Sequence, residues 1–169
     1  MKILMVGAGA VGGQFGAYLH ESGADVQFLL RPARKKIIDA EGLTLDLPAG
    51  KLQIQPRTLS APELTPDFDL IIVSCKAYSL NSVITDITQA MGKQTVILPL
   101  LNGLRHLDIL GRKFGDDRVL GGIAKTVATL ASPSCIQIKH GPGNITVGAR
   151  TPDQRQTAHA VWPQLHAGG

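Results

Sequence analysis

Aromatic residues make up only 4% of this chain: one Trp, two Tyr and four Phe. Proteins that grip bases by stacking interleave aromatics with their cations, whereas the 17 Lys and Arg here are scattered. The formal charge of +4 therefore points to a small anionic ligand and not to nucleic acid. Cysteine is equally scarce. Cys75 and Cys135 stand far apart with no C-x-x-C spacing, so they offer neither a zinc site nor a redox pair and read as free thiols in a reducing cytosol. Long apolar runs are missing too. Ile3–Val6 is too short for a secretory signal, and no stretch approaches the roughly 18 residues of a membrane span. The expectation is a cytoplasmic, soluble protein with no membrane partner.

What is present is aliphatic. With 44% hydrophobic and 18% charged residues in 169, the chain is long enough for one domain with its own core. Its composition suits a buried parallel sheet. Lys2–Val6 reads as the first buried strand, Val11, Phe15, Tyr18 and Leu19 recur at helical spacing up to Gly23, and Asp25–Leu30 reads as the second strand. A short basic helix after Pro32 and an alternating strand over Gly42–Ile54 look peripheral. A proline-containing loop spans Gln55–Asp67. Strand Asp69–Ser74, helix Tyr78–Met91, strand Thr95–Leu98 and helix Leu104–Phe114 follow, and Val119–Leu130 is apolar and extended. Turns at Ser132-Pro133-Ser134 and Gly141-Pro142-Gly143-Asn144 separate short strands ending near Gly148. A last helix starts at Thr151 and Pro152 and runs to about Leu165.

One motif stands where it has physical meaning. Gly7-Ala8-Gly9-Ala10-Val11-Gly12 matches G-x-G-x-x-G between a strand and a helix. Gly7 permits the tight turn, Gly9 leaves a path for a pyrophosphate to the helix N-terminus, and Gly12 allows close packing of helix on sheet. The fold expected is α/β, a Rossmann-type doubly wound, mainly parallel sheet with antiparallel hairpins toward its C-terminal end. NAD-specific folds carry Asp or Glu at the end of the second strand, roughly 20 residues beyond the glycines. Arg31 occupies that position here. A guanidinium cannot accept the ribose hydrogen bonds but pairs with a 2′-phosphate, which favours NADP (NADPH) over NAD. Arg34, Lys35 and Lys36 add positive charge nearby and read mainly as the solvated face of a helix.

These features, with the strand end Ser74-Cys75-Lys76 and the run Leu98-Pro99-Leu100-Leu101-Asn102-Gly103, resemble the ketopantoate reductases (2-dehydropantoate 2-reductases) over about residues 1 to 150. The resemblance implies a dinucleotide-binding domain there, followed over 151–169 by a helix leading toward a further domain. It implies reduction of 2-dehydropantoate to pantoate with NADPH, on the route to pantothenate and coenzyme A. Residues 7–12, Arg31, Lys76 and Asn102 would contact the cofactor, and Asn102 would also help to place the substrate. Members of that family run to about three hundred residues, with a helical C-terminal domain that carries the Lys acid and a substrate-positioning Glu. This chain ends at Ala167-Gly168-Gly169 without those parts, so no catalytic residue is assigned within it, and by itself it is expected to turn over slowly or not at all. Lys125, in the extended Val119–Leu130 segment, is the one substitute donor to consider, and it reads as a sheet-edge lysine. His20, His106, His140, His159 and His166 show no metal-ligand spacing and read as surface or structural residues. The expected partners are a small 2-keto acid and, at most, a second copy of the chain in a homodimer. Two alternatives stay open: a non-catalytic NADP-binding module or subunit, and a reductase of another 2-keto acid.

Overall fold

A computed structural model describes the backbone of residues 1–166 and the side chains of residues 1–165. The proposed chain end, residues 167–169, and the side chain of His166 lie outside the described residues. Five strands form a parallel sheet in the order β5-β2-β1-β6-β7: β1 (Lys2–Val6), β2 (Asp25–Leu29), β5 (Arg57–Leu59), β6 (Phe68–Val73) and β7 (Met91–Pro99). The chain builds outward from β1 to β2 and β5, then returns to the other side of β1 with β6 and β7. That reversal leaves a crevice beyond the carboxyl ends of β1 and β6, the place where open α/β sheets hold ligands.

Both faces of the sheet are covered, which is why β1 is apolar at every position after Lys2. Ile3 and Met5 point into one core, with Phe15 and Leu19 of α1 (Ala10–Glu21). Leu4 and Val6 point into the other, with Leu80, Val83 and Ile87 of α3 (Leu80–Ile87) and Leu110 of α4 (Arg105–Phe114). Each such side chain, fully buried, contributes about 1.5–3 kcal/mol. Helix α2 (Pro32–Glu41) buries only Ile38.

A second, mixed sheet of four strands has the order β4-β3-β9-β8, from β3 (Leu43–Leu47), β4 (Gly50–Ile54), β8 (Gly121–Ser132) and β9 (Cys135–Gly148). Helix α1 lies between the two sheets, and its glycines let both come close. A Cβ on Gly16 would stand 2.4 Å from the Phe28 ring of the first sheet, and one on Gly13 would stand 2.2 Å from Ile136 of the second. The last helix, α5 (Arg155–His166), follows a capping box of Thr151 and Gln154 and buries Ala158 and Val161 in the same core. Among the described residues no helix is long and apolar enough to cross a membrane.

Several elements differ from the sequence expectation. Gly42–Ile54 is a hairpin turning at Pro48–Ala49, not one strand, and it is not peripheral, since Leu43 and Leu45 are fully buried. The loop over Gln55–Asp67 contains β5, three residues too short to show a period, yet stabilised by parallel pairing with β2. Helix α3 is shorter than Tyr78–Met91 because single 3-10 turns flank it and Met91 already begins β7. The glycine-proline segment after Lys139 is not a turn between strands either. Strand β9 runs through it with a bulge, its register jumping from Val127–His140 to Lys125–Asn144. Gln14 of α1, fully buried, holds that bulge by donating to the Pro142 carbonyl at 2.8 Å and accepting from the Thr126 hydroxyl at 2.6 Å. Gln14→Leu strips both partners, so we expect a loss of about 1–2 kcal/mol, read as a lower thermal midpoint. An unchanged midpoint would mean that the bulge is held by β8 and β9 alone.

Candidate dinucleotide site

The parallel register aligns the strand ends: Leu29, Val6, Val73 and Pro99 are successive partners across β2, β1, β6 and β7. Residues just past them lie in order along one edge: Arg31, the glycine turn, Lys76 and Asn102. Three strand spacings separate the first from the last, about 14 Å. Sequence reasoning placed each at a strand end, and the topology decides that they share one edge in this order.

At the turn, Gly7 has φ +90°, and its N–H donates to the Leu29 carbonyl at 3.0 Å. Gly9 caps α1, and a Cβ there would have nothing within 4 Å. The Gly13 N–H donates to the Gly9 carbonyl at 2.7 Å, and the amides ahead of it lack intrahelical partners, as at any helix start. No acidic residue lies in the first turn of α1, so these amides and the helix dipole present an uncompensated positive end to whatever enters. Gly12 is packed instead of open. A Cβ there would meet Ser74 Oγ at 2.0 Å and the Gly7 carbonyl at 2.4 Å. Ser74 clamps the crevice from β6, its hydroxyl donating to the Val6 carbonyl at 2.8 Å.

Arg31 is exposed, and its Nη2 donates to Ser79 Oγ at 3.3 Å across the crevice, a long contact that a stronger anion can replace. Beside it, burial pushes the Cys75 thiol above its ordinary pKa, with the charge of Arg31 a smaller opposing influence. The basic run that follows divides three ways. Lys35 pairs with Asp39 at 2.8 Å, Lys36 is exposed, and Arg34 reaches the glycine turn, where its Nη2 donates to the Ala8 carbonyl at 2.6 Å. The solvated-face reading thus fails for Arg34. Helical spacing alone does not reveal it, because the target is a backbone carbonyl 26 residues earlier.

Lys76 and Asn102 are both exposed. Asn102 lines a cleft of about 510 Å³ with Leu101, His106, Leu107, Ile123 and Thr146. A more open groove of about 490 Å³ lies along α2, beside the Lys35–Asp39 pair and bordered by Pro32 and Ser60.

Residues 3–152 match the family model described as ketopantoate reductase PanE/ApbA. The chain belongs to this ketopantoate reductase family. The resemblance read from its motifs is borne out, and so is the Rossmann-type fold. The uncharacterized oxidoreductase YkpB of Bacillus subtilis (strain 168) is 44% identical over 123 residues, 73% of this chain and 40% of that protein. Among solved structures, 2-dehydropantoate 2-reductase from Geobacter metallireducens GS-15 superposes with a TM-score of 0.90 at 27% identity, over all of this chain and 56% of that one. A D-mandelate dehydrogenase in ternary complex with NADH and anilino(oxo)acetate gives 0.91 at 27% identity, over all of this chain and 55% of that one. The chain thus spans about half the length of these relatives.

Away from that edge, Lys125 stands exposed on the edge strand β8, opposite Asn144, as expected of a sheet-edge lysine. His140 and His159 are exposed and His20 is partly so. His106 is 6% exposed. Burial in the cleft wall, and secondarily the charge of Arg150, lowers its pKa.

Proposed function

We propose that this chain is the cofactor-binding part of an NADP-dependent oxidoreductase that reduces 2-dehydropantoate to pantoate in pantothenate and coenzyme A synthesis. The carrying observation is the linear order of Arg31, the glycine turn, Lys76 and Asn102 along one sheet edge. It matches the order of groups in a dinucleotide: adenosine ribose phosphate, pyrophosphate, second ribose and nicotinamide. The residues present fit that ligand, because the open space at Gly9 and the acid-free start of α1 suit a pyrophosphate. Bound NADPH supplies the hydride. Arg31 releases Ser79 to pair with the 2′-phosphate, the amides of residues 9 to 12 hold the pyrophosphate, and Lys76 faces the ribose side. Asn102 orients the nicotinamide end and the keto acid in the adjoining cleft. No proton donor is assigned within residues 1–165.

Calorimetric titration with NADPH and NADH tests the cofactor reading. We expect tighter binding of NADPH, and Arg31→Ala to cost about 1.5–3 kcal/mol for NADPH while leaving NADH unaffected. Equal losses for both would remove Arg31 from the 2′-phosphate. A second reading, reduction of another 2-keto acid, is favoured by the likeness to D-mandelate dehydrogenase, whose complex holds anilino(oxo)acetate. NADPH oxidation by a chain extended to the full length of its relatives, with 2-dehydropantoate against aryl 2-keto acids, separates the two.

A further inference from the structure

Arg34 sits in the first turn of α2 but serves the turn before α1. Its Nη2 donates at 2.6 Å to the carbonyl of Ala8, a residue only 3% exposed. The Nε–H is sealed from solvent with no hydrogen-bond partner. No carboxylate pairs with this guanidinium: the cations of the three ion pairs among the described residues are Lys2, Lys35 and Arg150. A half-buried positive charge thus stands, with no counter-charge, beside the positive end of α1. In the protein alone that arrangement is unfavourable, both because an N–H goes unpaired and because a helix N-terminus repels cations. An anion at the turn reverses the sign of the second effect.

The geometry of the peptide plane says what Arg34 does there. In a trans peptide the carbonyl of Ala8 and the N–H of Gly9 point to opposite sides, so holding one fixes the direction of the other. Resting on the dinucleotide reading above, we propose that Arg34 is a positioning residue for the pyrophosphate. It locks the Ala8–Gly9 peptide through the Ala8 carbonyl and adds a positive charge to the turn. Arg34 therefore serves NADPH and NADH alike, whereas Arg31 serves the 2′-phosphate alone.

The test is titration of the 169-residue chain and of Arg34→Met and Arg34→Lys with NADPH and with NADH, below the melting temperature of each variant. Arg34→Met is expected to weaken both dinucleotides by the same factor, on the order of tenfold or more, and Arg34→Lys to restore part of the loss. Amide spectra of the ligand-free proteins add a readout independent of binding, with the Gly9 N–H resonance displaced in Arg34→Met and the amides of β7 unmoved. Unchanged binding of both dinucleotides by Arg34→Met would overturn the inference and leave the dinucleotide reading intact. A loss confined to NADPH would also overturn it and make Arg34 a second 2′-phosphate ligand. If Arg34→Met does not fold, Arg34→Lys carries the test, and equal, smaller weakening of both dinucleotides supports the proposal while no weakening overturns it. Failure of the unaltered chain to bind either dinucleotide would bring down the underlying reading itself.

Discussion

Gly9→Val is expected to yield a folded chain that does not take up the NADPH proposed for this turn. Gly9 has φ −67° and ψ −173°, backbone that valine adopts without strain, and a Cβ there meets nothing within 4 Å. The fold loses at most the preference for glycine over valine at a helix cap, about 1 kcal/mol. The new side chain instead fills the space through which a phosphate reaches the helix amides. Losing two charge-assisted bonds of about 1.5–3 kcal/mol each weakens binding more than about a hundredfold. Circular dichroism should match the unaltered chain while titration shows no heat. Normal NADPH binding by this variant would make residues 7 to 12 a structural turn and nothing else.

Three residues on, the same substitution should damage the fold itself. In Gly12→Val the Cβ lands 2.0 Å from Ser74 Oγ and 2.4 Å from the Gly7 carbonyl. The serine can turn aside only by giving up its bond to the Val6 carbonyl. The Gly7 carbonyl belongs to a turn at φ +90° and yields only if the end of β1 moves. Overpacking together with the lost bond costs about 3 kcal/mol, a large part of the roughly 5–15 kcal/mol that holds a domain together. Urea unfolding should show a lower midpoint at unchanged slope. A midpoint equal to that of the unaltered chain would mean that α1 has freedom to withdraw from the sheet. The contrast between Gly9 and Gly12 separates the two uses of glycine in one motif, an approach path for a ligand and a contact between elements.

Much of the site could be read in the sequence because it depends on local rules. The glycine motif, the strand before it and the helix after it are neighbours in the chain, and Arg31 is placed by the end of β2. Lys76 and Asn102 each follow an apolar strand whose length alone marks its end. Strand β5 was illegible for the opposite reason: Arg57-Thr58-Leu59 has no period, and only pairing with β2 makes it a strand. The bulge at Gly141–Gly143 carries turn residues that read as a hairpin, until Gln14, some 128 positions away, ties its carbonyl to α1. Arg34 sits in a charge run like many solvated ones, and only the approach of α2 to the glycine turn reveals its partner.

By itself, then, the sequence determined the doubly wound pattern, the glycine turn between β1 and α1 and the cation after β2. Strand length, helical period and the backbone freedom of glycine act within a few residues and leave their mark in composition. Tertiary structure alone decided that α1 is held between two sheets, that Leu43, Leu45 and Ile54 belong to the core, and that Arg34 closes on Ala8. Those outcomes depend on contacts between segments distant in the chain, whose energies come from burial and from pairing of backbone groups that every residue carries, and so leave no local signature.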